Sequence, residues 1–282
     1  MSVLVLGTSG FLGRHITGAL RVSGNEAITV GRSGSMDVMV DATDAVQLES
    51  VLQSAAPSSV INLLGAGLSD PNADPQVMEA VNTRFPTQLA VLLAKVAPGC
   101  HLIHAASSTE IPAADGSYES DYSRTKAEGT SALASCGVDL PITILRVHNT
   151  YGGDQPAQRF VASVTDSLNA GVGIELRYPE RVRDFIHVDD VSASFVAAVT
   201  NTVDGQVTYE VGTGVGTSLG SVVRMIASIV GVDDPLISSN IVDDLHPRTV
   251  ASPDLLLRRD TIDLQAGLAM TVSERLRKGE GT

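Results

Sequence analysis

Short, largely apolar runs alternate with amphipathic stretches through the first half of the chain. Val3–Leu6, Ala27–Val30, Val60–Leu64 and Leu102–Ala106 have the length and composition of strands buried on both faces. Between and after them, Phe11–Val22, Ala45–Ala55, Gln76–Val96 and Tyr122–Ser135 carry helical patterns, and Pro141 precedes a further strand, Ile142–Arg146. This strand–helix alternation predicts an α/β fold, a doubly wound parallel sheet covered on both faces. After Arg146 the rhythm breaks at the turn Tyr151-Gly152-Gly153-Asp154. Helices are then predicted near Gln158–Asn169, over Asp189–Thr200 and over Ser218–Val230, with a strand at Val207–Val211. The tail from Gly231 onward reads as a smaller cap. Its acid pairs, Asp233/Asp234 and Asp243/Asp244, read as a solvated face. No internal repeat or low-complexity linker interrupts the chain.

The first strand runs directly into Gly7-Thr8-Ser9-Gly10-Phe11-Leu12-Gly13, which opens the first helix. Glycines at such a junction permit a tight turn and close backbone approach, and helix-terminal N–H groups receive a diphosphate. The loop is therefore the candidate cofactor site. An acidic residue at the end of the second strand would bind an adenosine ribose diol, but this strand ends in Arg32 and Ser33, a cation and a hydroxyl suited to a 2′-phosphate. NADP(H) is the favoured cofactor, with NAD(H) the alternative. Asp41 reads either as an adenine contact or as a helix cap.

Tyr122 and Lys126 stand four residues apart, one helical turn, so their side chains share a face. A phenol titrates near ~10 unless its anion is stabilised, and an ammonium one turn away is such a group. The pair is a candidate proton-transfer centre for alcohol–ketone interconversion.

Composition narrows the class. The chain has 282 residues, 43% hydrophobic and 18% charged, enough for one large domain or two interdependent ones. A net charge of −13 and the absence of Trp argue against a general nucleic-acid binder. The N-terminus lacks the charge pattern of a signal peptide, and no run approaches the ~18 apolar residues of a membrane span. Cys100 and Cys136 form no metal-spaced pair, and His101 and His104 face opposite sides of a strand. No metal is expected, and a cytoplasmic location is.

With these motifs in order the chain resembles the extended short-chain dehydrogenase/reductases, the NAD-dependent epimerase/dehydratase family that acts on nucleotide sugars. The resemblance spans nearly the whole sequence. Beyond the glycine loop and the Tyr–Lys pair it rests on Val60-Ile61-Asn62-Leu63-Leu64-Gly65-Ala66, Asn82 and Ala106-Ser107-Ser108-Thr109. It continues through Leu145-Arg146-x-x-Asn149-x-Tyr151-Gly152, Arg183-Asp184-Phe185-Ile186-His187-Val188-Asp189-Asp190 and Tyr209–Gly214. It implies a Rossmann-type cofactor domain, residues 1–147 with about 184–214, and a smaller substrate-binding region, about 148–183 with 215–282.

Carried over residue by residue, the resemblance implies Tyr122 as catalytic acid/base and Lys126 as its electrostatic partner and nicotinamide-ribose ligand. It implies Ser108 as the hydroxyl on the reacting sugar oxygen, with Ser107 or Thr109 as the alternative. Cofactor contacts are implied for Gly7, Thr8, Ser9, Gly10, Phe11, Leu12, Gly13, Arg32, Ser33, Asp41, Ala42, Leu64, Gly65, Ala66 and Asn82. Substrate contacts are implied for Ser108, Thr109, Asn149 and Arg183, and more weakly for Arg248, whose alternative is a surface role. Asp189 and Asp190 are expected to cap the following helix, and Phe185 and His187 to pack structurally. The family commonly forms a homodimer through helices equivalent to Gln76–Val96 and Tyr122–Ser135.

Three reactions stay open: reduction of a 4-keto sugar, 4-epimerisation and 4,6-dehydration. Glu110 lies where similar dehydratases carry a base, and its alternative is a solvent-facing carboxylate at the strand end. Ile111-Pro112-Ala113 replaces the family's usual Val-Tyr-Gly. With Arg32, this looks most like the 4-ketoreductases of nucleotide-deoxysugar biosynthesis, acting on a dTDP-linked or similar nucleoside-diphosphate sugar. A non-catalytic dinucleotide sensor is the reading from another class.

Overall fold

The computed structural model describes residues 1–32, 34–68, 70, 72–239, 244–246 and 248–279. The chain opens with β1 (Ser2–Leu6), α1 (Phe11–Val22), β2 (Glu26–Gly31), β3 (Val38–Met39), α2 (Ala45–Ala55) and β4 (Ser59–Asn62). It continues through α3 (Pro75–Met78), a π-helical turn (Glu79–Arg84), α4 (Phe85–Val96), β5 (His101–Ser107), a 3₁₀ turn (Ser108–Glu110), α5 (Asp121–Ala134) and β6 (Ile142–Val147). The remainder is β7 (Asn149–Tyr151), α6 (Phe160–Asn169), β8 (Ile174–Leu176), β9 (Val182–His187), α7 (Val188–Thr200), β10 (Gln206–Val211), β11 (Gly216–Ser218), α8 (Leu219–Val230), β12 (Ile237–Ser239), β13 (Arg248–Thr249) and α9 (Leu264–Gly279).

Seven strands form one parallel sheet in the order β10-β6-β5-β4-β1-β2-β3. Alternation along β1 shows why both faces are covered. Leu4 and Leu6 enter a core with Leu48, Leu52, Phe85, Leu89 and Leu133, under α2, α4 and α5. Val3 and Val5 enter the opposite core with Ile16, Leu20, Phe195 and Val199, under α1 and α7. A third cluster joins α6, α8 and α9 through Val164, Leu168, Val222, Ile226, Leu268 and Val272. The cap also holds a small sheet in which β9 pairs with β7, β11 and β13.

Several expectations need correction. The helix predicted over Gln76–Val96 passes through a π-turn at Glu79–Arg84. Pro86 lacks the N–H that would meet the Asn82 carbonyl four residues back, and the wider turn absorbs the misfit. The strand predicted to Leu64 ends at Asn62, freeing the next residues to form a loop. The cap of α7 is His187, whose side chain accepts from the Asp189 N–H, rather than Asp189 or Asp190. Asp190 is buried and accepts from the Ile262 N–H at 2.8 Å, and burial raises its carboxyl. Asp244 is ion-paired with Arg181 rather than solvated, whereas Asp233 and Asp234 are exposed. Asp243 lies outside the described residues.

Candidate active site

Because all seven strands are parallel, their C-terminal ends share one edge, and the chain order reverses between β1 and β4. Ligands of open α/β sheets bind at such a switch point. Gly7 leaves β1 with φ +87°, a conformation that favours glycine. A Cβ on Gly13 would press on the Thr8 backbone at 2.5 and 2.9 Å, so this glycine lets α1 pack onto the loop. Gly10 differs: a Cβ there would meet only the Gly7 carbonyl, at 3.4 Å. Gly10 is the N-cap of α1 without a side-chain cap, so no capping side chain takes up the first-turn N–H groups beside exposed Ser9. That cradle fits a cofactor diphosphate. Phe11 turns toward His15, with ring centroids 5.2 Å apart, and Leu12 packs on the core, so these two anchor the loop. Thr8 is buried, and its hydroxyl reaches the Met36 sulfur at 2.8 Å.

Across the switch point, Leu64-Gly65-Ala66 is held by Asn82. The Asn82 side chain accepts from the Ala66 N–H at 2.9 Å and donates to the Ala66 carbonyl at 2.9 Å and to the Thr125 hydroxyl at 3.0 Å. One buried amide thus ties the loop after β4 to the helix carrying Tyr122 and Lys126. Arg32 is exposed at the end of β2, 3.8 Å from Asp41. Asp41 is not the cap of α2, a role held by Asp44. Its carboxylate instead accepts from the Thr43 N–H and hydroxyl, which lower it below the usual range. Ala42 is buried in the core, and Ser33 lies outside the described residues.

The Tyr–Lys pair sits at the start of α5, capped by Ser120, whose hydroxyl accepts from the Ser123 N–H. Lys126 is buried and donates to the Ala105 carbonyl at 2.7 Å. Burial lowers its ammonium, and nearby Glu110 opposes that shift. Burial pushes the Tyr122 phenol up to about 12, and the charge of Glu110 adds to the rise. Arg159 pulls it down, and the Ser107 hydroxyl adds to that pull. Tyr122 is consequently a protonated acid across the neutral range.

Ser107, at the tip of β5, forms a capping box with Glu110: its N–H donates to the Glu110 carboxylate at 2.8 Å. Its hydroxyl lies 2.9 Å from that of Thr109. Ser108 is buried in the 3₁₀ turn, and its hydroxyl makes no hydrogen bond among the described residues. Glu110 is not solvent-facing: it is 6% exposed, and burial raises its carboxyl against the pull of Lys126. Directly below, His104 is 3.1 Å from Asn62 and kept neutral by burial and by Lys126.

On the cap side, Asn149 begins β7 half-buried, with no side-chain hydrogen bond among the described residues. Arg183 is buried on β9. It donates to the Val182 and His246 carbonyls at 3.0 and 2.9 Å and pairs with Glu119. Arg248, on the neighbouring strand β13, is exposed with its side chain over Gly216. Two residues outside the sequence motifs enter the site: Arg159 as the cation acting on the phenol, and Glu119 on Arg183. Helical spacing could not announce Arg159 or Glu119, because both stand in loops before helices.

A glycine cradle, a hydroxyl cluster and a Tyr–Lys helix thus meet at one sheet edge. A sequence profile described as the NAD dependent epimerase/dehydratase family matches residues 3–212. This chain belongs to that family. As an epimerase/dehydratase-family member of the extended short-chain type, it is an NAD(P)-dependent oxidoreductase. Among curated relatives it is 24% identical to the CDP-abequose synthase of Salmonella typhimurium, over 77% of each chain. It is also 24% identical to the dTDP-6-deoxy-L-talose 4-dehydrogenase (NAD(P)(+)) of Kitasatospora kifunensis, over 92% of this chain and 89% of that one. In fold it is similar to a Thermus thermophilus UDP-glucose 4-epimerase solved with NAD. That match has a TM-score of 0.81 and 24% identity, covering 98% of this chain and 99% of that one. No described helix is long and apolar enough to cross a membrane.

Proposed function

We propose that the protein reduces the C4 ketone of a nucleoside-diphosphate-4-keto-6-deoxyhexose, with NADPH as the reductant. The observation that carries this reading is Tyr122, held protonated beside the Ser107–Ser108 hydroxyls at the sheet edge that bears the glycine cradle. The cofactor, when bound, supplies the hydride. Tyr122 gives its proton to the forming alkoxide, and a hydroxyl of Ser107 or Ser108 orients that oxygen. Lys126, fixed on the Ala105 carbonyl, would hold the cofactor's nicotinamide ribose. Asn149, Arg183 and Arg248 hold the substrate diphosphate, Arg183 through its fork. Residues 1–147 with 184–214 form the cofactor half, and 148–183 with 215–282 the substrate half.

Three observations favour reduction with NADPH. Glu110 holds the Ser107 N–H from a buried position, which ties up the carboxylate a dehydratase would use as its base. No carboxylate occupies the position of Arg32, and that of Asp37 is turned onto Thr29. The activity for which one relative is named, a 4-dehydrogenase on a 6-deoxyhexose, is this reaction written in reverse. The substrate is a nucleoside-diphosphate sugar, dTDP-linked by the same analogy. The test is incubation with NADPH and a dTDP-4-keto-6-deoxyhexose, which should oxidise one NADPH per sugar. A tightly retained oxidised cofactor with C4-inverted product from an ordinary NDP-hexose would establish an epimerase instead.

A further inference from the structure

Arg183 lies on β9 and Arg181 just ahead of that strand, two residues apart, and each is fixed by partners of its own. Arg183 is held by the Val182 and His246 carbonyls. Arg181 is held by a fork onto Asp244, with 2.9 Å at Nε, and by the face of Tyr178, 4.1 Å from its ring centroid. Between them lies one carboxylate, Glu119, paired with Arg183 and 3.4 Å from Arg181 Nη1. Glu119 is differently anchored: these two guanidiniums are its side-chain partners among the described residues. It stands between α5 and a turn closed on itself by the Ala113–Ser117 and Gly116–Ala113 hydrogen bonds. The cations are thus pre-organised, and the anion on them is held by those two cations alone among the described residues.

We propose that Glu119 is an internal competitor for the substrate's diphosphate, holding Arg183 and Arg181 until that group displaces it, and so sets the affinity of the substrate site. This rests on the reading of Arg183 as a diphosphate ligand. Two arginines face two carboxylates, Asp244 and Glu119, so the cluster is balanced without ligand. A diphosphate diester brings two negative charges and several acceptor oxygens where Glu119 brings one charge, so it can outcompete the carboxylate at the fork. Burial disfavours the Arg183 cation, and Glu119 is the first charge offsetting this. An anion must therefore occupy Arg183 whether substrate is present or not. Glu119 also precedes Ser120, the cap of the helix that carries Tyr122, so its release frees the chain just ahead of the catalytic turn.

The test is calorimetric binding of dTDP and of inorganic pyrophosphate to the full-length wild type, Glu119→Gln and Arg183→Met. Removing the competing charge should tighten dTDP binding by roughly tenfold, because an apparent affinity is reduced by the fraction of sites held closed. Pyrophosphate should raise the melting temperature of Glu119→Gln more than that of the wild type, a readout that also shows the variant folded. Unchanged or weaker dTDP binding in a folded Glu119→Gln protein overturns the proposal. Loss of dTDP binding in Arg183→Met supports the substrate reading by itself. Undiminished binding in Arg183→Met overturns that reading and the competition with it.

Discussion

Gly129 offers the sharpest test of how the catalytic helix is placed. It lies in α5, one turn after Lys126, where the helix crosses the π-turn. A Cβ there would lie 2.9 Å from the Asn82 carbonyl carbon and 3.0 Å from Thr83 Cα, and would overlap the Asn82 carbonyl oxygen. These are backbone atoms, so no rotamer change relieves them. Moving from 2.9 to an ordinary 3.4 Å contact parts the helices by 0.5 Å, and clearing the oxygen to the same separation takes more than 1 Å. Two hydrogen bonds cross this contact, Asn82 to the Thr125 hydroxyl and the Thr83 hydroxyl to the Thr125 carbonyl, both at 3.0 Å. Overpacking costs ~1–3 kcal/mol and each lost hydrogen bond ~1 kcal/mol. Gly129→Ala should therefore lose ~3–5 kcal/mol, a fall in melting temperature of roughly 10 °C or more. A misplacement of about 1 Å at the reacting groups should lower kcat by roughly 10²-fold. Thermal denaturation and steady-state NADPH oxidation measure the two effects. A Gly129→Ala protein that melts with the wild type and keeps its kcat would refute this account of helix placement.

Charge changes around Tyr122 should move its titration in opposite directions. Glu110 raises the phenol, so Glu110→Gln should shift the alkaline limb of the reduction profile, where the acid form disappears, to lower pH. Arg159 pulls the phenol down, so Arg159→Gln should shift the same limb to higher pH. Rate–pH profiles that coincide with the wild type in both variants would contradict the assignment. Gly18 is the stability counterpart of Gly129: it lies within α1 with open space around its Cβ position. Gly18→Ala should stabilise the protein by ~0.5–1 kcal/mol, read as a raised denaturation midpoint, because alanine loses less backbone entropy in a helix.

The framework was legible where one physical rule dominated. Strands buried on both faces must be largely apolar, so Val3–Leu6 and, His104 aside, Leu102–Ala106 declared themselves. The glycine loop did so because Gly7 and Gly13 answer to backbone geometry that no other residue relieves. What escaped depends on contacts between distant segments. Spacing put Glu110 at the end of β5, yet only the fold shows it turned inward onto Ser107 and Lys126. The same holds for Lys126, drawn to the Ala105 carbonyl, and for Glu119, which meets Arg183 64 positions later. Three strands of the cap, β7, β11 and β13, were missed because they are two or three residues long and pair across long stretches of sequence. The π-turn follows from Pro86, but a single proline within an otherwise helical pattern does not specify how the helix will accommodate it.

The most direct measurement follows the hydride. NADPH carrying deuterium at the transferable position of its nicotinamide should deliver one deuterium to C4 of a dTDP-4-keto-6-deoxyhexose, with one cofactor oxidised per sugar. Tyr122→Phe should abolish the transfer while still binding NADPH. Product without deuterium at C4, or undiminished transfer by Tyr122→Phe, would contradict the assignment of Tyr122 as the proton donor of a 4-ketoreductase.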